Sequence, residues 1–142
     1  MKPNLTAETS TTINASPQKV WKALTDPEQI KQYLFGTTAT SDWKKRSKIT
    51  YTGEWQGKSY EDKGEIVDII PEKKLHTTYL SGMSGKEDIP ENYNNVIYTL
   101  TADGAQTIVT IQQDNIATKK EIDHMKENWA LVLQNMKKLL ES

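Results

Sequence analysis

The run from Thr118 to Ser142 constrains this chain most, because it joins a helix-start signal to a long one-sided apolar stripe. Thr118 and Glu121 have the spacing of a capping box, in which the threonine hydroxyl accepts from the backbone N–H three residues on. Ile122, Met125, Trp129, Val132, Leu133, Met136, Leu139 and Leu140 then recur at steps of three and four, which places them on one face of a 3.6-residue period. At 1.5 Å per residue, roughly 22 residues make a helix about 33 Å long. A helix of that length with one apolar side needs a long apolar surface to lie on. The preceding chain has to supply it as a sheet.

Thr9, Thr11 and Ile13 alternate as β-branched residues and predict a first strand. Ser16-Pro17 and Asp26-Pro27 then each pair an N-cap residue with a proline at the first helical position, predicting two short helices in succession. Val20, Trp21 and Leu24 give the first its apolar side, and Ile30, Tyr33 and Leu34 the second. From Gly36 to Asn115 the period changes to two, with strands predicted over 37–43, 48–55, 58–70, 75–80, 93–102 and 106–115. Gln56-Gly57, residues 71–74 and Asp103-Gly104 read as turns, and residues 81–90 as a mobile loop. With Asp103-Gly104 at the tip of the last hairpin, Leu100 opposes Thr107, Tyr98 opposes Val109 and Val96 opposes Ile111. All six share the face that the final helix would cover. The whole order predicts an α+β domain of two layers, an antiparallel sheet of about seven strands with its helices on one side. One domain spans residues 1–142, with 1–7 flexible at its start.

Charge and composition exclude several function classes. The 18 basic and 19 acidic residues leave a net charge of -1, which offers no general attraction to nucleic-acid phosphates. The densest basic cluster, Lys44, Lys45, Arg46 and Lys48, reads as a solvated loop. With no cysteine, neither disulfides nor thiolate metal sites contribute. The first dozen residues lack the apolar segment of a signal peptide, and no apolar run nears the roughly 18 residues of a membrane span. A cytoplasmic protein is the simplest expectation.

Motifs for catalysis are also missing. His76 and His124 sit in no metal-ligand pattern, and His124 reads as a surface residue of the last helix. Asp68 precedes His76 by one strand, but a turn over 71–74 sets Asp68 against Thr77 and sends the two side chains to opposite faces. A one-residue bulge would reverse this. No G-x-S-x-G elbow or glycine-rich phosphate loop is present. Glu61, Asp62, Glu65 and Asp68 read as a solvated strand face. No catalytic residue, metal site or cofactor follows from these patterns.

The aromatic residues are the better functional material. Trp43, Tyr51, Trp55, Tyr60, Tyr79, Tyr93 and Tyr98 come from strands, Trp129 and its stripe neighbour Leu133 from the long helix. Met83, between Gly82 and Gly85, is placed to gate a cavity mouth. Tyrosine and tryptophan combine apolar area with a polar tip, which suits a pocket for a flat or amphipathic ligand. The competing use is to fill the core, favoured for Trp21 and Trp129 because each sits on the stripe of its own helix.

The succession Ile13-Asn14-Ala15-Ser16-Pro17-Gln18-Lys19-Val20-Trp21-Lys22-Ala23-Leu24-Thr25-Asp26-Pro27-Glu28 resembles the opening signature of the START-like, or SRPBCC, superfamily. More narrowly, it is similar to the branch related to the C-terminal domain of the activator of heat shock protein 90 ATPase. Gly64 to Pro71 with Leu75, Tyr98-Thr99-Leu100, Thr107 to Thr110, Asn128-Trp129 and Leu139-Leu140-Glu141 fall where that branch has matching features. The branch usually has a glycine near Arg46, and this chain does not. The resemblance implies a helix-grip fold: a curved antiparallel sheet gripping the long helix over an apolar cavity. Members bind lipids, sterols and aromatic polyketides, and some cyclise them. The first expectation is therefore a non-enzymatic module holding a small apolar or aromatic ligand. Its alternatives are a protein-interaction domain for a heat shock protein 90 family chaperone, and a cyclase or hydrolase working inside the cavity.

Overall fold

Both short helices begin where the capping residues put them. Helix α1 (Pro17–Thr25) starts behind Ser16, whose hydroxyl accepts from the Lys19 N–H at 3.3 Å, and α2 (Pro27–Tyr33) behind Asp26, which accepts from the Glu28 N–H at 3.1 Å. Pro27 has no N–H to give to the Ala23 carbonyl one turn back. The Tyr33 hydroxyl donates to that carbonyl instead, at 2.9 Å, tying α2 to α1. The computed structural model describes residues 5–34, 36–55, 57–82 and 85–141, without the side chain of Trp55.

The strands are β1 (Leu5–Ile13), β2 (Thr38–Ser41), β3 (Lys48–Trp55), β4 (Lys58–Ile70), β5 (Lys74–Tyr79), β6 (Asn94–Asp103) and β7 (Gln106–Ile116). They form one antiparallel sheet in the order β1-β7-β6-β5-β4-β3-β2. Strand β1 starts earlier than its Thr alternation indicates: residues 5–7, expected to be flexible, are strand, and Ala7 is buried. Helix α3 (Lys119–Glu141) begins at Thr118, whose hydroxyl accepts from the Glu121 N–H at 3.2 Å. It crosses one face of the sheet and touches β1, β7, α1 and α2. The core joins Ile13, Val20, Ile30, Leu100, Val109 and Ile111 to Val132, Leu133 and Met136. The architecture is a curved sheet gripping its C-terminal helix.

Two registers differ from expectation. Asp103 pairs with Gln106, so the turn residues of the last hairpin are Gly104-Ala105, and Leu100 opposes Val109 and Tyr98 opposes Ile111. Only Gly104 has positive φ there, +62°, which suits a turn that needs glycine at its first central position. A shift of two residues leaves every side chain on its expected face. In the β4–β5 hairpin the loop is one residue shorter than expected, since Lys74 pairs with Ile70, and Asp68 therefore stands opposite His76. Glu72 makes the short loop possible by taking φ +65°. The two side chains nevertheless bond elsewhere: His76 Nε2 to Asn95 Oδ1 at 2.9 Å, and Asp68 Oδ1 to the Ile69 N–H at 3.0 Å. In the β2–β3 loop, Arg46 takes φ +73° without the glycine usual nearby in the resembled branch.

Candidate functional site

The inner face of the sheet changes character along its width. Toward β7 and β1 it carries aliphatic side chains that meet the second half of α3. Toward β3, β4 and β5 it carries Tyr51, Tyr60 and Tyr79, with Tyr98 on β6 beside them. The first turns of α3 present His124, Met125, Asn128 and Trp129 to these rings. Between helix and sheet lies a cavity of about 470 Å³. That volume falls in the range of about 300 to 1,000 Å³ usual for small-molecule pockets.

Polar contacts and ring contacts fix the wall. Trp129 donates its indole N–H to Gln113 Oε1 at 2.8 Å and meets Tyr98 edge to face, with ring centroids 6.0 Å apart. The Tyr79 hydroxyl donates to Asp62 Oδ2 at 2.7 Å, and the Gly82 N–H to Asp62 Oδ1 at 2.8 Å. A side chain at position 82 would strike the Glu61 carbonyl oxygen, 2.1 Å from where its Cβ would lie, so only glycine lets the loop come down onto β4. Tyr60 shares a hydrogen bond of 2.6 Å with Thr37. Its ring lies across Gly53, where a Cβ would sit 2.6 Å from the Tyr60 hydroxyl oxygen. Tyr51 packs against Tyr79 with ring centroids 6.2 Å apart.

Three phenols of the site, Tyr51, Tyr79 and Tyr98, are held neutral. Burial pushes Tyr51 well above its usual range, and Tyr98, Tyr33, Tyr79 and Asp62 add to the rise. Burial also raises Tyr98, and raises Tyr79 together with its bond to the Asp62 carboxylate. Such groups bind through ring surface and hydroxyl hydrogen bonds. Among the described residues, no group of three His, Cys, Asp or Glu side chains is placed to hold a metal ion.

Of the residues singled out in the sequence, Tyr51, Tyr60, Tyr79, Tyr98 and Trp129 are brought together around this space. Leu133 is fully buried in the core, and Trp43 packs against that core from the β2–β3 loop. Tyr93 lies on the other face of the sheet, in a hollow of about 590 Å³ walled by charged strand residues. There its hydroxyl donates to Asp88 at 2.5 Å, and Asp88 pairs with Lys63. Met83 and the Trp55 side chain lie outside the described residues. Asp62 and Gln113 were missed as site residues. Asp62 reads as one of several strand charges, yet it shares the parity of Tyr60 and pairs with Tyr51, which turns it inward. Gln113 continues the inward series Val109, Ile111, a polar residue at a core position and the available signal for a buried hydrogen bond.

The family described as Activator of Hsp90 ATPase homolog 1-like protein matches residues 14–141. No curated protein sequence matches the chain. Among solved structures, ChR145 from Cytophaga hutchinsonii is 48% identical, with 99% of this chain and 97% of that one covered and a TM-score of 0.86. The Aha1 dimer from Colwellia psychrerythraea shares the fold at 21% identity, 96% coverage of each chain and a TM-score of 0.76. DynU16, of the dynemicin biosynthetic locus, shares it at 18% identity, covering 99% of this chain and 48% of that one, with a TM-score of 0.81.

Proposed function

The chain belongs to the Activator of Hsp90 ATPase homolog 1-like family, and on that premise we propose that it is a non-enzymatic, cytoplasmic binding module that holds one small apolar or aromatic ligand between sheet and α3. The observation that carries this reading is the cavity of about 470 Å³ walled by tyrosines of four strands and Trp129 of the helix. Three polar side chains of the wall are already engaged: Asp62 with Tyr79 and Gly82, Gln113 with Trp129, Tyr60 with Thr37. A pre-formed wall of rings held by such bonds lowers the ordering a ligand has to impose.

A neutral apolar fluorophore such as 1-N-phenylnaphthylamine tests the reading. It should bind with a stoichiometry near one and raise the melting temperature by mass action. Gly53→Leu, which displaces the Tyr60 ring, should weaken binding more than folding. Absence of saturable binding would refute the module.

The family match also supports a second reading, a docking domain for a heat shock protein 90 family chaperone that uses an outer surface. The exposed large apolar side chains are spread over β1 (Leu5), β4 (Val67 and Ile70) and α3 (Leu131), which favours the cavity over this surface. Calorimetric titration with the chaperone of its own organism decides it: no heat at high micromolar concentration removes this reading.

A further inference from the structure

The cavity wall carries a sign. Asp62 contributes a carboxylate to it, while among the described residues no lysine or arginine lines it. Lys48 and Lys63, on the same strands as Tyr51 and Asp62, project from the opposite face of the sheet, where they line the outer hollow. Among the described residues, no cation pairs with Asp62. Among the described residues, His124 is the one lining residue able to bear positive charge.

The negative charge of Asp62 is felt inside the cavity, since it helps hold the neighbouring Tyr51 and Tyr79 phenols in their neutral form. Each Asp62 oxygen accepts one hydrogen bond from the protein, which orients the carboxylate and still leaves acceptor capacity on both oxygens. An anionic ligand head pressed against this group would lose its water with no positive partner in return. A cationic head meets the opposite situation: a fixed carboxylate, and aromatic rings whose faces carry partial negative charge.

We propose that the cavity selects an organic cation, an amine or quaternary ammonium bearing an aromatic or alkyl body, over the matching neutral molecule and discriminates against the matching carboxylate. This rests on the cavity-binding reading and adds the ligand's charge to it. Asp62 receives the head, and Tyr51, Tyr79, Tyr98 and Trp129 hold the apolar body.

Three probes with one shared 6-(2-naphthyl)hexyl body and a trimethylammonium, a hydroxyl or a carboxylate head test this on the full chain by calorimetry at pH 8. The cation should bind about tenfold more tightly than the alcohol, and the carboxylate about tenfold more weakly. Asp62→Asn should remove most of the cation's advantage while leaving the alcohol within about twofold, and Tyr98→Leu should weaken all three. The wild-type ranking decides the matter even where Asp62→Asn fails to fold. Equal affinities, or a preference for the carboxylate, would overturn the charge selection while leaving the module intact. An undiminished cation preference in both variants would place the cation elsewhere and overturn it too. If none of the three binds, the module itself fails, and this proposal with it.

Discussion

From Val132 onward α3 is held on several sides, whereas over its first three turns it faces a hollow. Val132, Leu133 and Met136 are at most 1% exposed, and the same stretch is tied down by bonds from Lys137 Nζ to the Thr12 carbonyl and from the Asn14 N–H to Glu141. Ile122, Met125 and Trp129 lie on the same stripe, yet each is only half-buried. The difference comes from what the sheet offers. Ile13 of β1 and Val109 and Ile111 of β7 share one core with Val132, Leu133 and Met136 of the second half of the helix. The tyrosines of β3, β4 and β5 are rigid and polar-tipped, and they leave a gap that their rings border without filling. One apolar stripe thus supports two regimes, a packed end that stabilises and a hollow end available to a ligand.

The largest test of this contrast removes side chains from each end. Leu133→Ala, in the packed end, should cost about 2 to 5 kcal/mol in urea unfolding. Trp129→Ala removes more atoms but should cost less, about 2 kcal/mol, because it loses one edge-to-face contact and one hydrogen bond at a half-open wall. The reverse order would break the comparison.

Two hydroxyl deletions sharpen it further. Tyr33→Phe should destabilise by about 1 to 3 kcal/mol, since the Ala23 carbonyl at the end of α1 loses its partner in a buried setting. Tyr51→Phe should stay within about 0.5 kcal/mol, because its hydroxyl makes no hydrogen bond to another described residue. Equal losses would mean that the two tyrosines sit in equivalent surroundings.

The smallest effect at neutral pH is that of the phenols, and it grows with alkalinity. Burial raises the folded pKa of Tyr33, Tyr51 and Tyr98 above the value of about 10 expected of an unfolded tyrosine. A raised folded pKa gives stability that is complete below the unfolded value and lost as pH climbs beyond it. Stability measured by urea unfolding should therefore be flat up to about pH 9 and fall above about pH 10, less steeply in Tyr51→Phe and Tyr98→Phe. An unchanged slope in both variants would mean that those rings are not buried in the fold.

How much of this was legible in the sequence varied with the kind of signal. Caps and punctuation carry position, so Ser16-Pro17, Asp26-Pro27 and Thr118 placed all three helix starts, and the bounds of β3 and β4 came out at Lys48–Trp55 and Lys58–Ile70. Alternation carries the face but not the loop length. A loop displaced by one residue, to Gly104-Ala105, shifted the pairing by two and left every side chain on its face, whereas a loop one residue shorter before Lys74 set Asp68 against His76. The tyrosines of the hollow end were visible as residues that suit a pocket. That Tyr93 turns to the other face, and that Asp62 turns inward among charged neighbours, depends on pairing with strands far away in sequence. No local pattern contains that information.

The most direct test of the hollow end is an NMR titration with 1-N-phenylnaphthylamine that follows backbone amides and the tryptophan indole N–H groups together. The account predicts saturable shifts at a one-to-one ratio, concentrated on Tyr51, Tyr60, Tyr79, Tyr98 and the Trp129 indole, with Val132 to Met136 nearly still. Shifts scattered over the outer surface, or larger at Leu133 and Met136 than at Trp129, would contradict it.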